Sequence, residues 1–257
     1  KSKLVRPGPS LVTLRNARSH TQFFSDRHRA GALGAALAHE LSAAGADLIL
    51  SARNEEALHA LAESLPGHAE VVPIDVRDMD SVERAAHSAG SLDGLVYLAG
   101  VYWPFAAQAW HVEQTIAMCD VNFTGAARVL GQVVPQFVAK DSGHIVITGS
   151  IGGFRGLPSA IGYNASKAGV MTLAESLYCD LRQSGVCVQL ANPGFIKTRL
   201  TDKNKFNMPY IMPPEQAAKI MLSHMQSHRF KKSFPTFFSL LFRAANFLPD
   251  WLYYRLF

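Results

Sequence analysis

Short apolar runs alternate with helical patterns over most of this 257-residue chain, and this alternation constrains the fold more than any other feature. Runs such as Asp47–Ser51, His144–Thr148 and Val186–Ala191 have the length and composition of buried strands. Longer helical patterns, for example Gly34–Ala44 and Ile161–Gln183, lie between such runs. Strands joined by helices form parallel sheets that are covered on both faces. The sequence therefore predicts an α/β fold with a doubly wound parallel sheet of about seven strands.

A sheet of this kind is Rossmann-like, and its ligands bind outside the carboxyl ends of the strands. Functional residues are therefore expected just after the apolar runs. No linker or repeat divides the chain, so we predict a single domain over residues 1–257. Two ends differ from the rest: residues 1–30 lack a clear period, and residues 236–257 form a strongly aromatic tail.

Composition excludes several classes of protein. Hydrophobic residues make up 48% of the chain and charged residues 18%, which is too apolar for a disordered protein. The longest uncharged apolar stretch, Gly94–Trp110, is shorter than the roughly 20 residues that span a bilayer. The net charge of +5 is scattered, so no nucleic-acid partner is expected. Three cysteines and ten dispersed histidines predict no disulfide scaffold and no metal site, and favour the cytoplasm.

The sharpest chemical signal is the pair Tyr163 and Lys167. Residues at i and i+4 share one face of a helix. A phenol has a pKa near 10, and an ammonium group one turn away lowers it by stabilising the phenolate. The pair could therefore transfer a proton to or from a substrate oxygen, although an exposed helical pair is the alternative interpretation.

Other residues follow apolar runs in the same way. Ser150 comes directly after the run His144–Thr148, and residues 192–198 (NPGFIKT) follow the run Val186–Ala191. Asn122 lies near a break in the helical pattern of residues 111–140. The parallel sheet brings such positions to one edge.

Together these residues resemble the short-chain dehydrogenase/reductase family over about residues 31–235. The resemblance implies a catalytic set of Asn122, Ser150, Tyr163 and Lys167. Tyr163 would exchange a proton with the substrate oxygen, Ser150 would hydrogen-bond that oxygen, and Lys167 would lower the Tyr163 pKa. Asn122 would position a water in a proton relay.

The same resemblance implies a nicotinamide dinucleotide cofactor. Arg53, at the end of the second expected strand, can bind a 2′-phosphate, and no acidic residue stands there to hold the ribose hydroxyls. NADP(H) is therefore favoured, with NAD(H) as the alternative. Asp75 would contact the adenine ring, unless it caps a turn or helix. The expected cofactor-binding residues are Gly31, Leu33, Gly34, Arg53, Asp75, Ala99, Gly100, Tyr163, Lys167, Pro193, Gly194, Ile196 and Thr198.

The chain departs from the family pattern in the cofactor loop. The family's Thr-Gly-x-x-x-Gly-x-Gly is replaced by residues 27–34 (RHRAGALG), in which Gly34 alone falls on a family glycine. Three explanations stay open: a divergent loop in which Arg27 and Arg29 bind phosphate, a fold that has lost its cofactor, or a non-native reading frame over residues 1–30. Residues 97–100 (YLAG) also depart from the usual Asn-Asn-Ala-Gly, which puts local stability in doubt.

Apolar residues surround the expected substrate position. We assign substrate contacts to Ser150, Tyr163, Phe154 and Trp103, although core or dimer contacts are the alternative for the apolar residues. The loop of residues 199–214 is expected to close over the substrate. A small apolar carbonyl or alcohol is therefore the predicted substrate.

The sequence also indicates the partners of the protein and its location in the cell. The resemblance favours a homodimer or homotetramer through the helices near residues 111–140 and 161–183. Residues 236–257 could lie on a membrane surface, which would make the cytoplasmic protein peripheral to a membrane, or could pack over the pocket or a second subunit. The predicted function is NADP-dependent oxidoreduction, with a non-catalytic binding protein as the alternative.

Overall fold

The computed structural model describes residues 20–25, 32–204 and 206–256. Within these ranges, parallel strands form a seven-stranded sheet in the order β3-β2-β1-β4-β5-β6-β7. The strands are β1 (His20–Ser25), β2 (Asp47–Ala52), β3 (Ala69–Val71), β4 (Gly94–Tyr97), β5 (Gly143–Thr148), β6 (Val186–Pro193) and β7 (Lys231–Phe234). The α/β prediction of a doubly wound parallel sheet is confirmed.

The strand order reverses between β1 and β4, which opens a crevice at the carboxyl ends of the central strands. The backbone of β1 pairs in parallel register with β2 on one side and with β4 on the other. Thr21–Phe24 is a weak strand by sequence, yet it lies in the middle of the sheet.

Helices connect the strands and cover the sheet. They are α1 (Ala32–Ala43), α2 (Glu55–Ser64), α3 (Met79–Ala89), α4 (Val112–Cys119), α5 (Gly125–Ala139), α6 (Ile161–Leu181), α7 (Pro214–Met225), α8 (Thr236–Ala245) and α9 (Asp250–Leu256). Among the described residues, no helix is both long enough and apolar enough to cross a bilayer.

Alternating side chains of the strands build a core on each face of the sheet. Leu48 and Leu50 of β2 pack in one cluster with residues of α1, α2 and α7. Ile49, between them, packs in the other cluster with residues of α3 to α6. This period of two along a strand is the reason that a fully apolar run was needed there.

The helical pattern of residues 111–140 is broken where the sequence predicted it. Residues Asp120–Thr124 form a π-helical turn between α4 and α5, and Asn122 lies within it, fully buried. Wide turns of this kind often occur at functional sites. The break therefore positions a side chain rather than ending the helix.

The last strand was not predicted. Residues 231–234 (KKSF) show little apolar character, yet they pair with Leu190–Pro193 of β6. The Lys231 ammonium forms an ion pair with Glu175 of α6. Pairing along the edge and this ion pair make up for the missing hydrophobic pattern.

Candidate active site

A cleft lies at the carboxyl ends of the central strands and is lined by residues from five separate parts of the chain. Nine of the residues assigned from the sequence line it: Leu33, Gly34, Gly100, Tyr163, Lys167, Pro193, Gly194, Ile196 and Thr198. Residues 32–34 begin α1, Pro193 ends β6 and residues 194–198 follow it. Both segments therefore lie at the edge of the sheet where functional residues were expected.

Tyr163 and Ser150 face each other at this edge. Ser150 is buried after β5, and its Oγ accepts a hydrogen bond from the backbone N of Gly152 at 3.1 Å. Burial raises the pKa of the Tyr163 phenol, and its hydrogen bond with Ser150 acts in the opposite direction. The phenol is therefore protonated at neutral pH and can donate its proton.

Lys167 lies one turn further along α6 and is also buried. Its Nζ donates a hydrogen bond to the backbone oxygen of Thr148 at 2.9 Å and lies 5.9 Å from the centre of the Tyr163 ring. Burial lowers the pKa of Lys167 to about 8. The predicted lowering of the Tyr163 pKa by Lys167 is not found, because burial is the largest cause of the shift and it acts in the other direction.

Asn122 is fixed by three hydrogen bonds. Its Oδ1 accepts from the backbone N of Val101 at 2.7 Å, and its Nδ2 donates to the backbone oxygen of Val101 and to Ser166 Oγ, each at 3.0 Å. A Cβ atom added at Gly100 would lie 3.6 Å from Asn122 Oδ1 and 3.7 Å from Lys167 Nζ. Asn122 and Lys167 thus approach the same point of the backbone after β4.

Tyr97 explains one of the departures seen in the sequence. Its buried hydroxyl donates a 2.6 Å hydrogen bond to the backbone oxygen of Val121, inside the π-helical turn. Gly125 leaves room for this contact, because an added Cβ would lie 2.9 Å from the Tyr97 hydroxyl oxygen. Tyr97 therefore links β4 to the turn that carries Asn122. No local pattern in the sequence predicts this contact.

Tyr102 packs against Tyr163 beside the cleft, although the sequence favoured its neighbour Trp103. The Tyr102 ring meets the Tyr163 ring edge-to-face at 5.0 Å between centres, and its hydroxyl donates to Asn204 Oδ1 at 3.0 Å. Lys203 Nζ donates to the backbone oxygen of Tyr102 and lies 4.5 Å from the centre of the Trp103 ring. These contacts hold the described part of the 199–214 loop against the cleft.

Trp103 and Phe154 are both half-buried and pack against the core cluster that includes Tyr163. The Phe154 ring lies 5.9 Å from the guanidinium of Arg243 in α8. Neither ring lines the deep cleft itself. Both therefore pack against the same core cluster as Tyr163 and lie outside the lining of the cleft.

At the other end of the crevice, Arg53 and Asp75 lie near each other, with Arg53 Nη1 3.9 Å from Asp75 Oδ2. Arg77 binds Asp75 more closely, through Nε to Oδ1 at 3.0 Å and through Nη2 to Oδ2 at 2.6 Å. Arg77 is the principal cause that lowers the Asp75 pKa. Arg77 lies two positions after Asp75 in the chain, and that spacing could have suggested the pair.

Some expected residues lie elsewhere. Gly31, and with it Arg27 and Arg29 of the divergent loop, lies outside the described residues. Ala99 is buried in the core rather than in the lining of the cleft. The lining also includes residues that the sequence did not indicate as contacts: Ala32, Leu98, Thr148, Gly149, Arg199, Leu200 and Thr201.

The chain is similar to known proteins over most of its length. The family model described as short chain dehydrogenase matches residues 29–208. An uncharacterized oxidoreductase of Myxococcus xanthus is 36% identical over 228 residues, which are 86% of this chain and 90% of the relative. A short-chain dehydrogenase from Sphingobium yanoikuyae, solved in complex with NADPH, is 23% identical with a TM-score of 0.78, and the match covers 88% of this chain and 92% of that one.

A solved 7beta-hydroxysteroid dehydrogenase has a TM-score of 0.79 and 19% identity, with coverage of 93% of this chain and 96% of that one. Likeness at such identity shows the fold, while the family match and the Myxococcus relative cover most of the chain. The chain belongs to the short-chain dehydrogenase family of oxidoreductases.

Proposed function

We propose that this chain is an NADP(H)-dependent oxidoreductase that interconverts an apolar carbonyl compound and its alcohol. The observation that carries the proposal is the set of buried Ser150, buried Lys167 and partly buried Tyr163 beside a cleft that residues 193–198 close on the other side. We also propose that residues 1–257 form a single NAD(P)-binding domain.

The proton chemistry follows from the positions of the side chains. When bound, the cofactor supplies or accepts the hydride. Tyr163 donates its phenolic proton to the carbonyl oxygen during reduction and takes it back during oxidation. Its raised pKa keeps the phenol protonated at the start of the reduction. Ser150 donates a hydrogen bond that stabilises the charge developing on the same oxygen.

Lys167 and Asn122 act behind Tyr163. A lysine with a pKa of about 8 can gain and lose a proton near neutral pH, so Lys167 can return a proton to the Tyr163 side of the cleft. Asn122 has its amide fixed on Val101 and Ser166, so we assign it to hold the geometry of this route.

The residues present fit a nicotinamide dinucleotide. Thr148 Oγ1 and Asn192 Oδ1 are buried without a hydrogen-bond partner, which is costly unless a ligand or water completes them. Gly149 has no side chain between these two strand ends, where a Cβ would overlap Asn192 Oδ1. Thr198, Ile196 and the ammonium of Lys167 would hold the nicotinamide end, and Leu33 and Gly34 at the start of α1 would approach the phosphates.

Arg53 supports the preference for NADP(H) over NAD(H). Its guanidinium lies beside Asp75 at the adenosine end of the crevice, where a 2′-phosphate would replace part of that ion pair. The solved relative from Sphingobium yanoikuyae holds NADPH, which agrees with the assignment.

The surroundings of Tyr163 favour an apolar substrate. The Tyr102 ring contacts the Tyr163 ring, Trp103 and Phe154 pack against the same core cluster, and Ser150 hydrogen-bonds the phenol. A substrate with one carbonyl or hydroxyl group on an apolar body satisfies both features.

The test is turnover of NADPH with a panel of apolar ketones and aldehydes. Reduction by the chain, and its loss in the Tyr163→Phe variant, is the expected result. Binding of NADPH without any turnover would support the alternative, a non-catalytic binding protein, which the divergent sequence of residues 27–34 favours.

Two partner assignments accompany the activity. Exposed Val112 and Ile116 of α4 and Val138 of α5 support a homodimer or homotetramer through α4, α5 and α6, which light scattering would test. Exposed aromatic side chains in residues 236–256 support contact with a membrane surface and a peripheral location in the cytoplasm.

A further inference from the structure

Two segments place exposed apolar side chains side by side on one surface. Phe206, Tyr210 and Ile211 belong to the loop after β6, and Phe237, Leu240 and Leu241 belong to α8. Phe237 is 63% exposed and Tyr210 56%, which is unusual for large apolar residues that adjoin one another. We call these six residues the apolar rim.

Ring contacts join the two segments. Tyr210 lies 6.4 Å from Phe237 and 5.5 Å from Phe238, measured between ring centres. Phe195 lies 5.8 Å from Phe206 and 5.9 Å from Phe238. Phe238 is buried, so it anchors the exposed residues of the rim to the body of the protein.

The rim lies at the mouth of the cleft. Phe195, which contacts both segments of the rim, directly follows Gly194 of the cleft lining. Leu200 and Thr201, a few residues before Phe206, also line the cleft. On the α8 side, Arg243 lies over the Phe154 ring beside Ser150. An apolar molecule bound on the rim is therefore next to the substrate side of the site.

The fold holds the tail with its aromatic side outward. Arg155 Nη1 donates hydrogen bonds to the backbone oxygens of Ala245 and Leu248, both at 2.8 Å, and Arg155 also pairs with Asp250. The Arg155 guanidinium stacks 3.8 Å from the centre of the Tyr253 ring, whose residue is buried. These contacts fix the position of the tail, so its exposed aromatic side chains are a feature of the folded protein.

Two further aromatic side chains of the tail, beyond α8, also face solvent. Phe247 is 89% exposed and Trp251 is 70% exposed. Aromatic residues of this kind favour the boundary between water and the acyl region of a bilayer. They extend the rim away from the cleft in the direction of α9.

The surface is also basic. The described residues of 197–211 and 236–256 include five Lys or Arg and two Asp, a net charge of +3. One of the two aspartates, Asp250, is paired with Arg155. Basic residues around exposed aromatic ones fit an anionic lipid surface.

We propose that the apolar rim docks on bilayers that contain anionic lipids, and that the substrate reaches Tyr163 from the bilayer. The second part rests on the proposed function and narrows the substrate to an apolar carbonyl compound or alcohol dissolved in a membrane. A two-fold contact between copies through the rim would bring two surfaces of net charge +3 together, so a second copy of the chain fits less well.

The experiment is sedimentation of the full chain with phosphatidylcholine vesicles, with and without phosphatidylglycerol. The test variant is Phe237→Ser with Leu241→Ser. Its matched control is Met79→Ser with Trp110→Ser, which removes two exposed apolar side chains outside the rim and outside the residues assigned to the subunit contact. Wild type and control are expected to bind vesicles containing phosphatidylglycerol, and the rim variant to bind at least about tenfold more weakly. Salt at about 1 M, where the Debye length is about 3 Å, is expected to weaken binding.

Several results would overturn the proposal: no binding by the wild type, equal binding by the rim variant, or equal binding to vesicles without phosphatidylglycerol. Light scattering that shows a dimer dissociated by the rim substitutions, with no vesicle binding, would assign the rim to a second copy instead. NADPH fluorescence titrations of the same samples without vesicles test the proposed function separately, since the substituted residues lie outside the lining of the cleft.

Discussion

The two ends of the crevice, which we proposed for catalysis and for adenosine binding, differ in the burial and the pairing of their polar side chains. At the catalytic end, Ser150, Lys167 and Asn122 are buried, and nearby Thr148 Oγ1 has no hydrogen-bond partner. At the adenosine end, Arg53, Asp75 and Arg77 are partly exposed and bind one another.

This difference in burial determines how each end is expected to respond when a ligand binds or a side chain is replaced. At the catalytic end, burial disfavours the charged forms of the side chains. It therefore lowers the pKa of Lys167 and raises the pKa of Tyr163. Exposed ion pairs contribute little to stability, so the adenosine end can exchange one partner for a phosphate at small cost. The catalytic end is therefore expected to respond to substitution in rate and stability, and the adenosine end in affinity.

The largest effect is expected for Tyr163→Phe. The phenylalanine ring can keep the edge-to-face contact with Tyr102, but it has no proton to transfer. We expect kcat to fall by about 10³-fold, within the usual range for loss of an acid–base group, with NADPH affinity nearly unchanged. Steady-state kinetics and NADPH fluorescence measure the two quantities.

Tyr102→Phe is the matched control, because it removes a hydroxyl that hydrogen-bonds Asn204 and keeps the ring. Its kcat is expected to fall much less. An equal loss in both variants would mean that the proton does not come from Tyr163.

Lys167 gives a stability effect with a definite pH window. Its pKa falls from 10.5 to about 8 on folding, so the protonated form is disfavoured in the folded state. The resulting penalty is fully present below pH 8 and disappears as the pH rises towards 10.5, because the unfolded chain then still holds a proton that the folded chain has lost.

We therefore expect the free energy of unfolding of the wild type to rise by up to about 3 kcal/mol relative to Lys167→Met across this window. Urea unfolding at several pH values measures it. Parallel pH profiles for wild type and variant would show that Lys167 is not desolvated in the folded protein.

At the adenosine end, Arg53→Ala is expected to weaken NADPH binding by about tenfold or more, because a charge-assisted hydrogen bond to phosphate is lost. NADH binding should stay nearly the same. Arg77→Ala is the matched control, since it removes another guanidinium that pairs with Asp75. If Arg77→Ala rather than Arg53→Ala abolishes the preference, the assignment of Arg53 is wrong.

The smallest effect is expected for Tyr97→Phe. The substitution leaves the buried backbone oxygen of Val121 without its hydroxyl donor. We expect the free energy of unfolding to fall by about 1 to 2 kcal/mol and kcat to fall a few-fold, with KM unchanged. A fall in stability without any change in kcat would show that Tyr97 supports the sheet but does not position Asn122.

Much of the fold could be predicted because its strands are unusually apolar. β2, β5 and β6 lie in the sheet interior, so almost every residue must be apolar and the runs stand out. The edge strand β7 escaped prediction because half of its residues are lysines held by pairing with β6 and by Glu175. β1 was doubtful because its local sequence is weak, although it is paired on both sides.

The candidate site shows a similar division. Tyr163 and Lys167 could be proposed because their spacing is a local pattern, and Ser150 was added by the resemblance to the family. The contacts of Tyr97 with Val121 and of Tyr102 with Asn204 join residues far apart in the chain, and no local pattern reveals them. The direction of the Tyr163 pKa shift was wrong because the sequence indicates a charged neighbour but not the extent of burial.

The proposed function depends most on whether this chain binds the cofactor with residues 27–34 as its loop. The most direct measurement is a fluorescence titration of the full chain with NADPH and, separately, with NADH. We predict saturable binding of NADPH and weaker binding of NADH. Absence of binding for both nucleotides would contradict the account and would assign the chain to a member of the family that keeps the fold and the buried side chains without the reaction.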